Sequence, residues 1–104
     1  MNILILGSEG QIGKYLLNYL KKKHKIFSFD LINDNSEDLR IYKNKKLKSL
    51  IKKSDFVFFL AFDVGGSKYL KSYQYSYNFL MNNLSIIKNT FEELKSSKKK
   101  IYFC

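Results

Sequence analysis

With 104 residues, 45% of them apolar and 16% aromatic, the chain has the material for one small packed core, which excludes disorder and a multidomain organisation. No apolar run approaches the ~20 residues of a membrane span, and no basic segment precedes the apolar opening, so neither a transmembrane helix nor a signal peptide is expected. The net charge of +10 comes from lysines scattered along the chain, with Arg40 the one arginine, which fits a solvated coat better than a nucleic-acid interface, and the single cysteine, Cys104, fits a reducing cytoplasm.

The first element is "NILIL" (Asn2–Leu6), an apolar run of the kind found in strands buried on both faces. From Gln11 to about Lys22, Ile12, Tyr15, Leu16, Tyr19 and Leu20 recur at helical spacing and predict an amphipathic helix. "KIFSFD" (Lys25–Asp30) alternates and is aromatic, so a second strand is expected, followed by a polar loop, "LINDNSED". "KNKKLKSLIKK" carries Leu47, Leu50 and Ile51 on one face and predicts a short helix. "DFVFFLA" (Asp55–Ala61) reads as the next strand and "DVGGSK" as a glycine loop. A long helix is predicted from about Tyr75 to Ser97, with Leu80, Leu84, Ile87, Phe91 and Leu94 as its core face, and "KIYFC" (Lys100–Cys104) as a last strand. Strands alternating with helices imply right-handed crossovers and a parallel sheet covered on both faces, an α/β sandwich of Rossmann type.

Between the first strand and the first helix lies "ILGSEGQIGKYL", with Gly7, Gly10 and Gly13 at intervals of three. A strand that ends in a glycine turn and opens into a helix can seat a phosphate. The first helical N–H groups lack intrahelical acceptors, and they point outward with the positive end of the helix dipole. Here Gly7 would make the turn, Gly10 would allow a pyrophosphate to approach, and Gly13 would let the helix pack closely on the sheet. Asp30 ends the next strand, 20 residues beyond Gly10. A carboxylate there can accept from both hydroxyls of an adenosine ribose and would repel a 2′-phosphate, so NAD is favoured over NADP.

The GxxGxxG spacing and the residues around it resemble the extended short-chain dehydrogenase/reductases, the NAD-dependent epimerase/dehydratase family that modifies nucleotide sugars. "DLR" (Asp38–Arg40) resembles the family's segment beside the adenine. "DFVFFLAFDVGG" resembles its strand ending in HLAA, and "YNFLMNNLSIIKNTFEEL" its following long helix, with Asn83 and Asn89 at matching places. The resemblance covers essentially the whole chain. It implies a Rossmann-type three-layer sandwich with a mostly parallel sheet of order 3-2-1-4-5. Only seven residues separate Asp30 from Asp38, so the third strand is expected to be short or missing.

Carried over residue by residue, the resemblance implies that Gly7, Gly10, Gln11 and Ile12 meet the pyrophosphate, Asp30 the ribose, and Asp38 and Leu39 the adenine. Leu60, Ala61 and Phe62 would line the nicotinamide side, and Val64 and Gly65 would border the sugar; Asn83 would tie the long helix to neighbouring strands. The family's catalytic Ser or Thr and its Tyr-x-x-x-Lys fall beyond the matching part. Residues 1–104 would thus be a truncated NAD-binding domain without the sugar-binding domain or catalytic residues. Tyr19…Lys23 and Tyr42…Lys46 fit Tyr-x-x-x-Lys by spacing alone, which in so lysine-rich a chain is expected by chance. His24 reads as a solvated loop residue and Cys104 as a strand-core thiol. The expected partners are a nucleotide sugar in the full-length family and another chain, identical or complementing, along the Lys100–Cys104 strand edge. The alternative reading is a non-catalytic nucleotide-binding module that pairs through that edge.

Overall fold

The computed structural model describes residues 1–61 and 77–97, together with the backbone of 100–103. Seven elements follow in order: β1 (Asn2–Leu6), α1 (Gln11–Leu20), β2 (Lys25–Phe29), α2 (Lys45–Lys53), β3 (Phe56–Phe59), α3 (Tyr77–Ser97) and β4 (Lys100–Phe103). The glycine loop expected at "DVGGSK" and the thiol of Cys104 lie outside the described residues.

All strand pairs are parallel, in the order β2-β1-β3-β4. This is the expected order with its outermost strand missing: among the described residues, turns occupy the chain between β2 and α2. The handedness rule distributes the helices. The step β1–α1–β2 moves one way across the sheet, and the steps β2–α2–β3 and β3–α3–β4 move the other way. Right-handed crossovers therefore put α1 on one face and α2 and α3 together on the opposite face.

The larger core lies on that second face. Leu4, Leu6, Phe29, Val57 and Phe59 project from the strands, one residue in two. They meet Leu47 and Ile51 of α2 and Ile86 and Leu94 of α3, and the Phe59 ring packs edge-on against Phe91. Ile3 and Ile5 alternate to the α1 face and are also buried. Asn44 caps α2 by accepting from the Leu47 N–H at 3.0 Å, and Lys52 and Lys53 complement its C-terminal dipole.

Both long amphipathic patterns bury part of the expected face, with a rotation: Leu94 is buried in α3 with Ile87 and Phe91 packed on the core, and Leu16 and Leu20 are half-buried in α1. In α1, Ile12, Tyr15 and Tyr19 are exposed, and the helix presses inward through Gly13 instead. In α3, Leu80 and Leu84 are half exposed, whereas Ile86, Asn89, Thr90 and Leu94 are buried. The amide of Asn89 explains the rotation in part, since it donates to the Leu39 carbonyl at 3.0 Å and ties α3 to the loop after β2. Asn89→Ala would leave that carbonyl buried without its partner. It should cost about 1–2 kcal/mol in a urea denaturation, whereas exposed Leu84→Ala should stay within about 0.5 kcal/mol.

Candidate functional site

The site is built where β1, β2 and β3 end. Crossovers leave β1 and β3 in opposite directions, so a crevice opens between their C-terminal ends, as in other open parallel sheets. Gly7 follows β1 directly. Its N–H donates to the Phe29 carbonyl at 2.8 Å, and its φ of +90° is a left-handed conformation that side chains rarely adopt. The space is closed as well: a Cβ on Gly7 would sit 2.9 Å from the Leu60 carbonyl carbon and 3.0 Å from the Ala61 Cα. The turn closes when the Gly10 N–H donates to the Gly7 carbonyl at 3.2 Å.

Gly10 is the N-cap of α1, and no side chain caps this helix. Its first-turn amides therefore have neither an intrahelical acceptor nor a capping side chain. Gly13 does something more specific than easing contact with the sheet. A Cβ there would lie 2.1 Å from the Gly7 carbonyl oxygen and 3.0 Å from the Ser8 Cα, so α1 is pressed against the glycine turn itself. The Ser8 side chain is buried there, its hydroxyl without a hydrogen-bond partner.

The second wall is acidic. Asp30 leaves β2 and its side chain accepts two backbone N–H bonds, from Glu9 at 2.9 Å and from Ile32 at 3.0 Å. It thus joins the glycine turn to the loop after β2. A carboxylate has about four acceptor sites, so two remain for a ligand. The Asp30 N–H itself donates to Glu37 at 2.9 Å, and the other Glu37 oxygen takes the Lys46 ammonium at 2.7 Å. The Lys46 ammonium is held above its ordinary value by that hydrogen bond to Glu37. Asn44 closes the loop by donating to the carbonyls of Ser36 at 2.8 Å and Asp38 at 3.1 Å.

Asp38 is gripped by Arg40 through two bonds, at 2.9 and 2.8 Å. The hydrogen bond from the Arg40 side chain, joined by the Arg40 N–H and the guanidinium charge, holds the Asp38 carboxyl below its usual value of 3.8. A lowered carboxyl stabilises the fold above its unfolded value, and that contribution is lost as pH falls through the folded value. The melting temperature of Arg40→Gln should therefore differ most from that of the parent near neutrality, and the two should converge as the pH drops below 3.8.

These walls enclose a cleft of about 300 Å³. Of the residues expected there, Gly7, Gly10, Asp30, Asp38, Leu39, Leu60 and Ala61 line it. Gln11 and Ile12 do not; both lie in the exposed first turn of α1. Phe62, Val64 and Gly65 lie outside the described residues. Six further residues complete the lining: Phe29, Leu31, Glu37, Arg40, Asn82 and Ile86. Asn83 donates to the Phe79 carbonyl of its own helix at 3.1 Å, and Asn89 ties α3 to Leu39 in the lining.

Neither Tyr-x-x-x-Lys match enters the cleft. Tyr19 is exposed on α1, and Tyr42 lies beneath the ammonium groups of Lys43 and Lys88. His24 is half-buried, and its Nδ1 is buried with no partner, contrary to a solvated loop residue. Among the described residues no cluster of metal-ligating side chains occurs, and no described helix is long and apolar enough to cross a membrane.

The fold has counterparts among solved structures. A dTDP-4-dehydrorhamnose reductase from Clostridium acetobutylicum superposes with a TM-score of 0.70 at 23% identity, over 97% of this chain and 34% of that one. A GDP-L-fucose synthetase from Naegleria fowleri superposes with a TM-score of 0.70 at 25% identity, over 99% of this chain and 30% of that one. The chain thus spans about a third of the length of either structure. No curated protein matches it. The model of the NAD dependent epimerase/dehydratase family matches residues 3–104, which include the glycine turn, the acidic wall and all the described strands but for Asn2. The chain belongs to the NAD-dependent epimerase/dehydratase family.

Proposed function

We propose that this chain binds NAD in preference to NADP, and that it forms the cofactor-binding part of an enzyme acting on nucleotide sugars by epimerisation, dehydration or reduction. The observation that carries the reading is the uncapped α1 N-terminus behind a turn at which Gly7 and Gly13 leave no room for a side chain. A diphosphate seated over Gly7 and Gly10 would meet the free amides of the first turn, where Gln11 and Ile12 contribute backbone rather than cleft-lining side chains. Asp30 would accept from the ribose hydroxyls with its remaining acceptor sites, and Asp38 and Leu39 would border the adenine. Leu60 and Ala61 line the opposite end of the reading, toward the nicotinamide, with Phe62 next in sequence; Val64 and Gly65 would follow on the sugar side.

The bound dinucleotide would supply the acceptor and donor of a hydride. What the described residues contribute is binding and orientation: the carboxylates that line the cleft, Asp30, Glu37 and Asp38, are each engaged by N–H, ammonium or guanidinium donors. Calorimetric titration of the purified chain tests the reading. NAD should bind more tightly than NADP, and incubation with a nucleotide sugar should give no product. Tighter binding of NADP would overturn the role given to Asp30, and turnover by the chain alone would overturn the division of labour.

A second reading rests on β4, which among the described strands is hydrogen-bonded on one side only. An open edge can pair with another chain. Under this reading the chain docks through β4 onto a second polypeptide, and light scattering would show a dimer or a heteromeric complex rather than a monomer.

A further inference from the structure

We propose that Glu37 is a second specificity-determining residue of the cleft, acting with Asp30 to favour an adenosine ribose that carries no 2′-phosphate. The proposal rests on the reading of the cleft as a dinucleotide site. Glu37 stands in the loop that replaces a strand after β2, and no part of the glycine pattern points to it. It is only 7% exposed, yet it lines the same cleft as Asp30.

Burying a carboxylate is costly unless its oxygens are satisfied. One Glu37 oxygen accepts the Asp30 N–H at 2.9 Å, and the other takes the Lys46 ammonium at 2.7 Å. The first bond fixes the separation of the two acids: the carboxylate of Glu37 is held against the backbone of the residue whose side chain faces the ribose. The Lys46 side chain is 42% exposed, so water shares its charge and it offsets Glu37 only in part. Asp38, the third acid of this wall, is paired in the same way with Arg40, whose side chain is 43% exposed. Three carboxylates facing two partly exposed cations leave the wall net negative, and within it Asp30 and Glu37 are tied together by the Asp30 N–H. A 2′-phosphate, with nearly two negative charges at neutral pH, would enter next to both.

A chain with net charge +10 might be expected to welcome the more anionic cofactor; the local field at this wall runs the other way. Glu37 acts by charge on the ribose side and by its hydrogen bond on the position of Asp30, and these two roles separate experimentally. Glu37→Gln keeps an oxygen for the Asp30 N–H and removes the charge. Lys46→Gln leaves Glu37 in place and removes its counter-charge.

The test is titration of NAD and NADP, at low ionic strength, into the parent chain and the two variants, with circular dichroism to verify folding. Glu37→Gln should raise NADP affinity relative to NAD on the order of tenfold, with NAD affinity nearly unchanged. Lys46→Gln should move the same ratio in the opposite direction, by a smaller factor, and remains decisive if Glu37→Gln does not fold. A purely structural role would change both affinities together. If the parent binds NAD and neither variant shifts the ratio, or both shift it the same way, the proposal is overturned while the dinucleotide site stands. If the parent binds neither cofactor, the site reading falls and the proposal with it.

Discussion

Gly13→Ala is expected to destabilise the chain by about 2–4 kcal/mol, although alanine is the better helix former. The added methyl would stand 2.1 Å from the Gly7 carbonyl oxygen and 3.0 Å from the Ser8 Cα. These contacts, and a third at 3.0 Å to the Gly7 carbonyl carbon, are all backbone, so no side chain can rotate aside. Relief requires α1 to lift from the glycine turn, and the turn cannot follow, because Gly7 is hydrogen-bonded to Phe29 and pressed against Leu60 and Ala61. The helical gain of about 1 kcal/mol does not offset such a displacement.

Gly10→Ala is the informative control. Its φ of −73° suits any residue, and its nearest neighbour, the Gly7 carbonyl oxygen, lies 3.4 Å from the added methyl. This variant should remain within about 1 kcal/mol of the parent in urea denaturation. The added group would nevertheless stand at the cleft, so NAD affinity should fall. Equal stability of the Gly13→Ala and parent chains would mean that the helix is not packed on the turn as described.

The second large effect falls on binding. Asp30→Ala should weaken NAD by at least tenfold and on the order of a hundredfold, while NADP weakens less. Two losses combine. The Glu9 and Ile32 N–H groups lose their acceptor, which releases the glycine turn from the loop after β2. The ribose hydroxyls lose theirs as well, and a hydrogen bond to a charged group is worth about 1.5–3 kcal/mol. The discrimination between cofactors should shrink because a negative charge has been removed next to the 2′ position. Equal weakening of the two cofactors would confine Asp30 to holding the turn.

The strands were legible because each is a short apolar or alternating run bounded by polar loops, and right-handed crossovers then leave few arrangements. The glycine turn and Asp30 were legible because their roles depend on position along one strand–turn–helix unit. The α2 face of Leu47, Leu50 and Ile51 was legible too, but those of α1 and α3 only in part. In α3 apolar residues occur all round the cylinder, so spacing supports both the expected face, of which Ile87, Phe91 and Leu94 do pack inward, and its rotation toward Ile86 and Thr90. Part of what selects between them is the long-range bond from Asn89 to Leu39, which no local pattern encodes. In α1 the tyrosines imitate a core stripe, but close approach at Gly13 turns them outward.

The same distinction divides the site. Glu37, Arg40 and Asn44 are ordinary polar residues in a polar loop until the loop folds back and each finds a partner. Glu37 and Asn44 carry one general signal, since a connection without glycine must satisfy its own backbone through side chains. Arg40 had a clearer signal, being the one arginine in the chain and two residues from an acid.

The central position of β1 has a mechanical consequence. It is laddered on both sides, to β2 and β3, and its isoleucines and leucines are covered from above and below. Its amide protons belong to the slowest-exchanging part of the molecule, and the glycine turn is the direct continuation of that strand. The loop after β2, by contrast, is held by isolated turns and side-chain bonds rather than by a ladder. A dinucleotide would therefore meet one rigid jaw and one compliant jaw, with its phosphates landing on a surface already set and its base adjusting afterwards.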